Sequence, residues 1–242
     1  MSITAVLTAY RRPQHLQQQI DAIRPQVDHI MLYQNIHSDF NLPPLALTLG
    51  FNGIDETVQC NYNHKYHGRF AAALLARTKY VIILDDDTVP GSEYVQSCME
   101  AHQKTYGLIG GVGITFNKDF VDYTDHQRYG WPVNPTLTEV DFVGHSWFMP
   151  YRFLRYFWDH PLASYETGED MHFSYCLKER GINSYVAPQE GETCSSLYGG
   201  TMGVDHTTPS CCEHPDHYPF RDERNRVLQT YIQRKWKLIE QS

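Results

Sequence analysis

The positions richest in chemistry lie in LDDDTVPG, Leu84 to Gly91, where three consecutive aspartates follow the apolar run Val81 to Leu84. On an extended segment, side chains two positions apart share a face, so Asp85 and Asp87 can hold one divalent ion between them. Without a cation, three adjacent carboxylates repel one another and take up protons. The plain alternative is a polar loop with a helix cap, yet such a turn needs one Asp. Mg²⁺ and Mn²⁺ favour oxygen donors and commonly share them with substrate phosphates.

A second acidic group stands in YETGEDMHFSYCLKERG, Tyr165 to Gly181. Its punctuation predicts a helix that starts at Thr167 or Gly168, carries Glu169 and Asp170 in its first turn and ends at Gly181. The helix dipole alone favours acids there. A carboxylate within reach of a hydroxyl can also take its proton, with Asp170 the first candidate and Glu169 the alternative.

The elements that must position these groups alternate along the chain. Ile3–Leu7, His29–Gln34, Glu56–Cys60 and Val81–Leu84 read as strands. Leu16, Ile20 and Ile23 recur at helical spacing, and Gly68–Lys79 is rich in Ala and Leu. This alternation predicts an α/β fold with a mainly parallel sheet flanked by helices. In such sheets ligands bind beyond the carboxyl ends of the strands, which is where the aspartates fall. Further on, Glu93–Lys104, Arg152–Trp158 and Arg221 to the end read as helices, and Val140–Phe148 and Ser184–Ala187 as strands. The glycines of LIGGVGITF lack the Lys-Ser/Thr of a phosphate loop, so close strand packing explains them.

The order of these segments resembles a nucleotide-sugar glycosyltransferase of the GT-A fold, near the family-2-like group. ITAVLTAYRRP, LYQNIHSD, NHKYHGRFAAALLARTKYVIILDDDTVPG, VDFVGHSWF and GEDMHFSYCLKERGI carry the likeness from Ile3 to about Pro188. The resemblance implies a Rossmann-like domain over residues 1–218, with a nucleotide-binding half to about 90 and an acceptor half after it, then a C-terminal amphipathic helix, 219–242. It implies transfer of a sugar from a nucleoside diphosphate, UDP-linked, to an acceptor hydroxyl with inversion, in glycan or glycoconjugate synthesis. Asp85 and Asp87 would hold Mn²⁺ or Mg²⁺, with His206 as a third ligand. Thr8, Ala9, Tyr10, Arg11 and Asn35 would meet the nucleotide, Asp86 the ribose or sugar, and Lys65 or Arg69 the phosphate or sugar. Trp131, His145, Trp147 and Tyr198 would line the acceptor cleft. DDDTV also resembles the DxDxT of haloacid-dehalogenase phosphatases, but that family opens its domain on this strand. A non-catalytic sugar-nucleotide-binding domain is a further alternative.

A formal net charge of −8 argues against a nucleic-acid partner. No window is apolar enough to span a membrane, and the N-terminus lacks the pattern of a signal peptide, which leads to the expectation of a cytoplasmic protein. The six scattered cysteines are accordingly read as reduced thiols. Cys211, Cys212, His214 and His217 make a poor zinc spacing. A basic face at Arg234, Lys235 and Lys237 could touch a membrane, although a solvated helix face is the simpler reading.

Overall fold

The computed structural model describes residues 2–10, 15–35, 50–130, 134–191, 193–194 and 220–239. Arg11, Trp131, Tyr198 and His206 lie outside these residues, as do Cys211, Cys212, His214 and His217. The described elements are β1 (Ile3–Ala9), α1 (Leu16–Ile23), β2 (His29–Gln34), β3 (Glu56–Gln59), α2 (Gly68–Ala73), β4 (Tyr80–Leu84), α3 (Tyr94–Thr105), β5 (Leu108–Phe116), β6 (His126–Tyr129), β7 (Thr138–Val140), β8 (Phe142–Pro150), α4 (Glu169–Lys178), β9 (Ser184–Val186) and α5 (Phe220–Gln233). The strands form one mixed sheet in the order β3-β2-β1-β4-β8-β5-β9-β7, with β6 paired to β5.

Parallel pairing joins β3, β2, β1 and β4. β1, β2 and β4 are mostly apolar because both of their faces are covered, whereas β3, at the sheet edge, is the polar, half-exposed ETVQ. Ile3, Ala5, Leu7, Ile82 and Leu84 face α1 and α3, while Val6, Val81 and Ile83 face Phe70 of α2 and Phe157. The register sets Ala9 beside Gln34 and Leu7 beside Leu84, so β1, β2 and β4 finish at one end of the sheet. The aspartates leave the sheet at that end. Beyond β4, β8 runs antiparallel to both β4 and β5. A Cβ on Gly110 of β5 would stand 2.2 Å from Val143 Cβ, so only glycine lets these strands approach so closely.

Several elements differ from expectation. The helix expected over 68–79 ends at Ala73, because Leu74, Leu75 and Ala76 donate to carbonyls three residues back and tighten the chain into turns before β4. The segment expected as an α-helix over 152–158 is a 3₁₀-helix, Tyr151–Trp158, that buries Phe153, Leu154 and Phe157. No element is expected between Phe116 and Val140, yet β6 lies there: its polar sequence HQRY shows no strand pattern, and it is held by pairing with β5. Among the described residues Cys60, Cys98, Cys176 and Cys194 are free thiols, and no helix is long and apolar enough to cross a membrane.

The C-terminal segment is tied in by Asp141, between β7 and β8. Its Oδ2 accepts the Phe116 N–H at 2.8 Å and its Oδ1 the Ile239 N–H at 2.6 Å. Burial pushes its carboxyl up to about 6, against the pull of those two donors. The folded protein therefore binds this proton more tightly than the unfolded chain, so the resulting stability is present below about pH 4 and lost as the pH rises through about 6. Asp141→Ala strands two backbone donors and should cost on the order of 2–4 kcal/mol. Thermal unfolding of both proteins between pH 4 and 7 checks the prediction: the variant should be less stable throughout and should lack this component of the pH dependence.

Candidate active site

β4 delivers Asp85 to the end of the sheet, and local bonds fix the turn that follows. The Asp85 N–H donates to His145 O at 3.0 Å, and Thr88 Oγ1 donates to the same oxygen at 3.0 Å. From α1, buried Gln19 donates through Nε2 to Asp85 O at 2.7 Å and to Thr88 O at 2.6 Å. The backbone of the aspartate turn is thus held on two sides.

His145 reaches the turn through an irregularity in β8. Gly110 pairs with Trp147 and Val112 with Gly144, so His145 and Ser146 together oppose Gly111. One extra residue makes a bulge, which bends a strand and re-aims a side chain. His145 takes a φ of +63°, a left-handed conformation that is costly for a residue with a Cβ. Asp85, Asp87 and His145 each offer a ligand atom, and these atoms all lie within 4.8 Å of one another. That spacing suits one shared cation. The sequence placed His145 on the acceptor side, whereas the fold brings it to the aspartates.

Arg69, from α2, is buried with its guanidinium 4.5 Å from the centre of the Trp147 ring. Nη1 pairs with Asp85 Oδ1, and Nη2 donates to Glu169 Oε1 at 2.8 Å. Trp147 is 1% exposed and its Nε1 donates to Val143 O at 3.0 Å, so it supports Arg69 from within the core and does not line a cleft. Glu169 Oε2 is buried without a partner among the described residues. Burial first, then the neighbouring Asp170, pushes the Glu169 carboxyl up to about 7, against the pull of Arg69 and Arg224.

Asp170 keeps partial access. Its Oδ1 accepts the Met171 N–H at 2.7 Å and its Oδ2 the Arg224 Nη2–H at 2.7 Å. A methyl group built on Gly144 would lie 3.9 Å from Asp170 Oδ2, and Gly144 adjoins His145 in the chain. Arg224 has no precedent in the sequence reading. Its only signal there is a cation on the buried side of an amphipathic helix, which salt-bridge and solvation readings share.

The remaining predicted residues gather at the ends of β1 and β2. Thr8 Oγ1 donates to Leu84 O at 3.4 Å, and Ala9 is buried. Asn63 Nδ2 donates to Tyr10 Oη at 2.9 Å, and Asn35 Nδ2 donates to Asn63 Oδ1 at 2.7 Å. Lys65 is drawn aside to Glu166 at 3.0 Å. Asp86 is half-buried in the aspartate turn.

An α/β sheet thus brings two carboxylates and an imidazole together at its strand ends, spaced so that they could hold one cation, and faces them with an acidic helix start. Residues 57–174 match the family model described as glycosyl transferase family 2. No curated protein matches the chain by sequence. Among solved structures it is similar to GalNAc-T7 crystallised with UDP, GalNAc and Mn²⁺, at 10% identity and a TM-score of 0.58 over 78% of this chain. It is also similar to S. aureus TarS 1-349, at 13% identity and a TM-score of 0.51 over 79% of this chain. It covers 42% of the first structure and 59% of the second, and at these identities the likeness concerns the fold. The chain thus has the GT-A fold, and residues 57–174 of it match the glycosyl transferase family 2 model. The matched family model and these two structures give the phosphatase reading of DDDTV no support.

Arg69→Met leaves Asp85 and Glu169 without their shared cation. Removing one partner from a buried pair costs about 3–5 kcal/mol. The loss should be largest near pH 8 and smaller near pH 5, where Glu169 is protonated, and urea unfolding at the two pH values measures it.

Proposed function

We propose that this domain is a metal-dependent, inverting glycosyltransferase that uses a nucleoside-diphosphate sugar, UDP-linked, and a carbohydrate or glycoconjugate hydroxyl as acceptor. The observation that carries the reading is the convergence of Asp85, Asp87 and His145 within 4.8 Å at the end of the parallel half-sheet. The donor set fits a divalent cation. Two carboxylates suit Mg²⁺ or Mn²⁺, and the imidazole shifts the preference toward Mn²⁺. When bound, such an ion supplies Lewis-acid stabilisation of the negative charge that develops on a departing diphosphate.

The chain's own residues have separable tasks. Thr8, Tyr10 and Asn35 form the ledge at the ends of β1 and β2 where the nucleotide would rest, with Asp86 toward the ribose or sugar. Arg69 holds Asp85 and Glu169 in place. Asp170 takes the acceptor proton, and access favours it over its neighbour: Glu169 is 5% exposed with one oxygen on Arg69, whereas Asp170 is half-buried. A positioned general base contributes roughly 10²–10⁴-fold to rate. His145 does not appear on the acceptor side in this reading.

The test is a thermal-shift panel of UDP- and other nucleotide-sugars with and without Mn²⁺, since stabilisation grows with affinity. One donor should raise the unfolding temperature in a metal-dependent way, and Asp87→Asn or His145→Ala should abolish that dependence. No metal-dependent shift with any donor refutes the proposal. With the stabilising donor, Asp170→Asn should keep the shift and lower turnover by about 10²–10⁴-fold. A donor that binds but is neither transferred nor hydrolysed would instead mark a non-catalytic binding domain.

A further inference from the structure

Helix α5 lies beyond the segment matched by the family model, yet it sits directly on the start of α4. Gly168 precedes Glu169 with a φ of +86°, and a Cβ there would stand 2.7 Å from Val227 Cγ1. Val227, Leu228 and Tyr231 are buried in the cluster that includes Met171 and Tyr175. One turn earlier on α5, Arg224 is 5% exposed. Its guanidinium carbon lies 4.4 Å from the centre of the Tyr123 ring. Nη1 donates to Thr167 Oγ1 at 3.3 Å and Nη2 to Asp170 Oδ2 at 2.7 Å.

An aromatic face and two acceptors leave this planar cation one orientation. The Met171 N–H holds the other carboxylate oxygen at 2.7 Å. With a donor fixed on each oxygen, the Asp170 carboxylate cannot swing. Above Gly144, Asp170 Oδ2 is the only described atom, outside the neighbouring residues, within 4 Å of a built Cβ. Among the described residues, Oδ2 therefore borders an open position next to His145.

We propose that Arg224 is the positioning residue for Asp170, so that α5, outside the family-matched segment, completes the acceptor side of the site. The proposal rests on the reading of Asp170 as the base. A purely structural role, fastening α5 to α4, predicts lower stability from its loss but no selective effect on turnover. Positioning predicts a selective effect. Among the described residues, the charged and titratable groups that act on or feel Asp170 are Arg224 on α5, Glu169 on α4, His67 ahead of α2 and Tyr123 in the segment after β5. Arg224 is the cation among them in direct contact with Asp170. Its removal leaves the carboxylate beside another acid.

The experiment compares the full chain with Arg224→Lys and Arg224→Met, using hydrolysis of the UDP-sugar that stabilises the wild type most with Mn²⁺. Positioning predicts that Arg224→Met keeps the donor-dependent thermal shift and the donor KM and loses about 10- to 100-fold in kcat. Arg224→Lys, which keeps the charge but not the fork, should restore part of kcat. A folded Arg224→Met that binds donor and turns over at the wild-type rate overturns the proposal. If that variant does not fold, Arg224→Lys decides: a kcat loss of about tenfold at unchanged donor KM supports it, and wild-type kcat overturns it. Absence of any donor-dependent shift in the wild type refutes glycosyl transfer and this proposal together, whereas intact donor binding with unaltered turnover in the variants refutes positioning alone.

Discussion

The Arg69 guanidinium stands between Asp85 at the end of β4 and Glu169 at the start of α4, resting on the Trp147 ring. A buried charge is costly unless paired and hydrogen-bonded. The three groups therefore depend on one another, and each comes from a different element. This shared cation joins the parallel half of the sheet to the helix that carries the second acidic group. It also explains why a tryptophan sits in the middle of β8, since an aromatic face is a surface on which a guanidinium can be buried.

The bulge at His145 answers a problem of geometry. β8 is antiparallel to β4, and in a regular ladder its side chains would alternate between the two covered faces of the sheet. One extra residue breaks that alternation where β4 ends, so an imidazole arrives next to two carboxylates. The left-handed backbone at His145 has a conformational cost. The Asp85 N–H and Thr88 hydroxyl on its carbonyl help to hold it.

The sequence makes the parallel half legible because buried strands there are unbroken apolar runs and the helices between them keep their period. Asp85, Arg69 and Glu169 were each singled out through their place in that order, but the ion pairs of Arg69 with both acids exist only in the fold. β6 was not, since its four polar residues take their structure from β5. His145 was read as an acceptor residue because nothing in VDFVGHSWF announces a bulge, which exists only in the pairing of two distant strands. Trp147 misled for a related reason: an aromatic residue in a strand serves a cleft or a core equally well until its neighbours are known. Arg224 went unnoticed because pairing across 54 residues of chain leaves no local pattern.

That distance also bears on how the protein is made. Chains emerge N-terminal end first and fold as they appear. The strands that present Asp85, Asp87 and His145, and the helix with Asp170, all leave the ribosome before α5. Until α5 docks, Asp170 has no guanidinium partner, Gly168 has no Val227 against it, and Asp141 has no N–H from Ile239. The order of synthesis thus brings the aspartate turn and His145 out of the ribosome before the acidic helix start can gain its last partners.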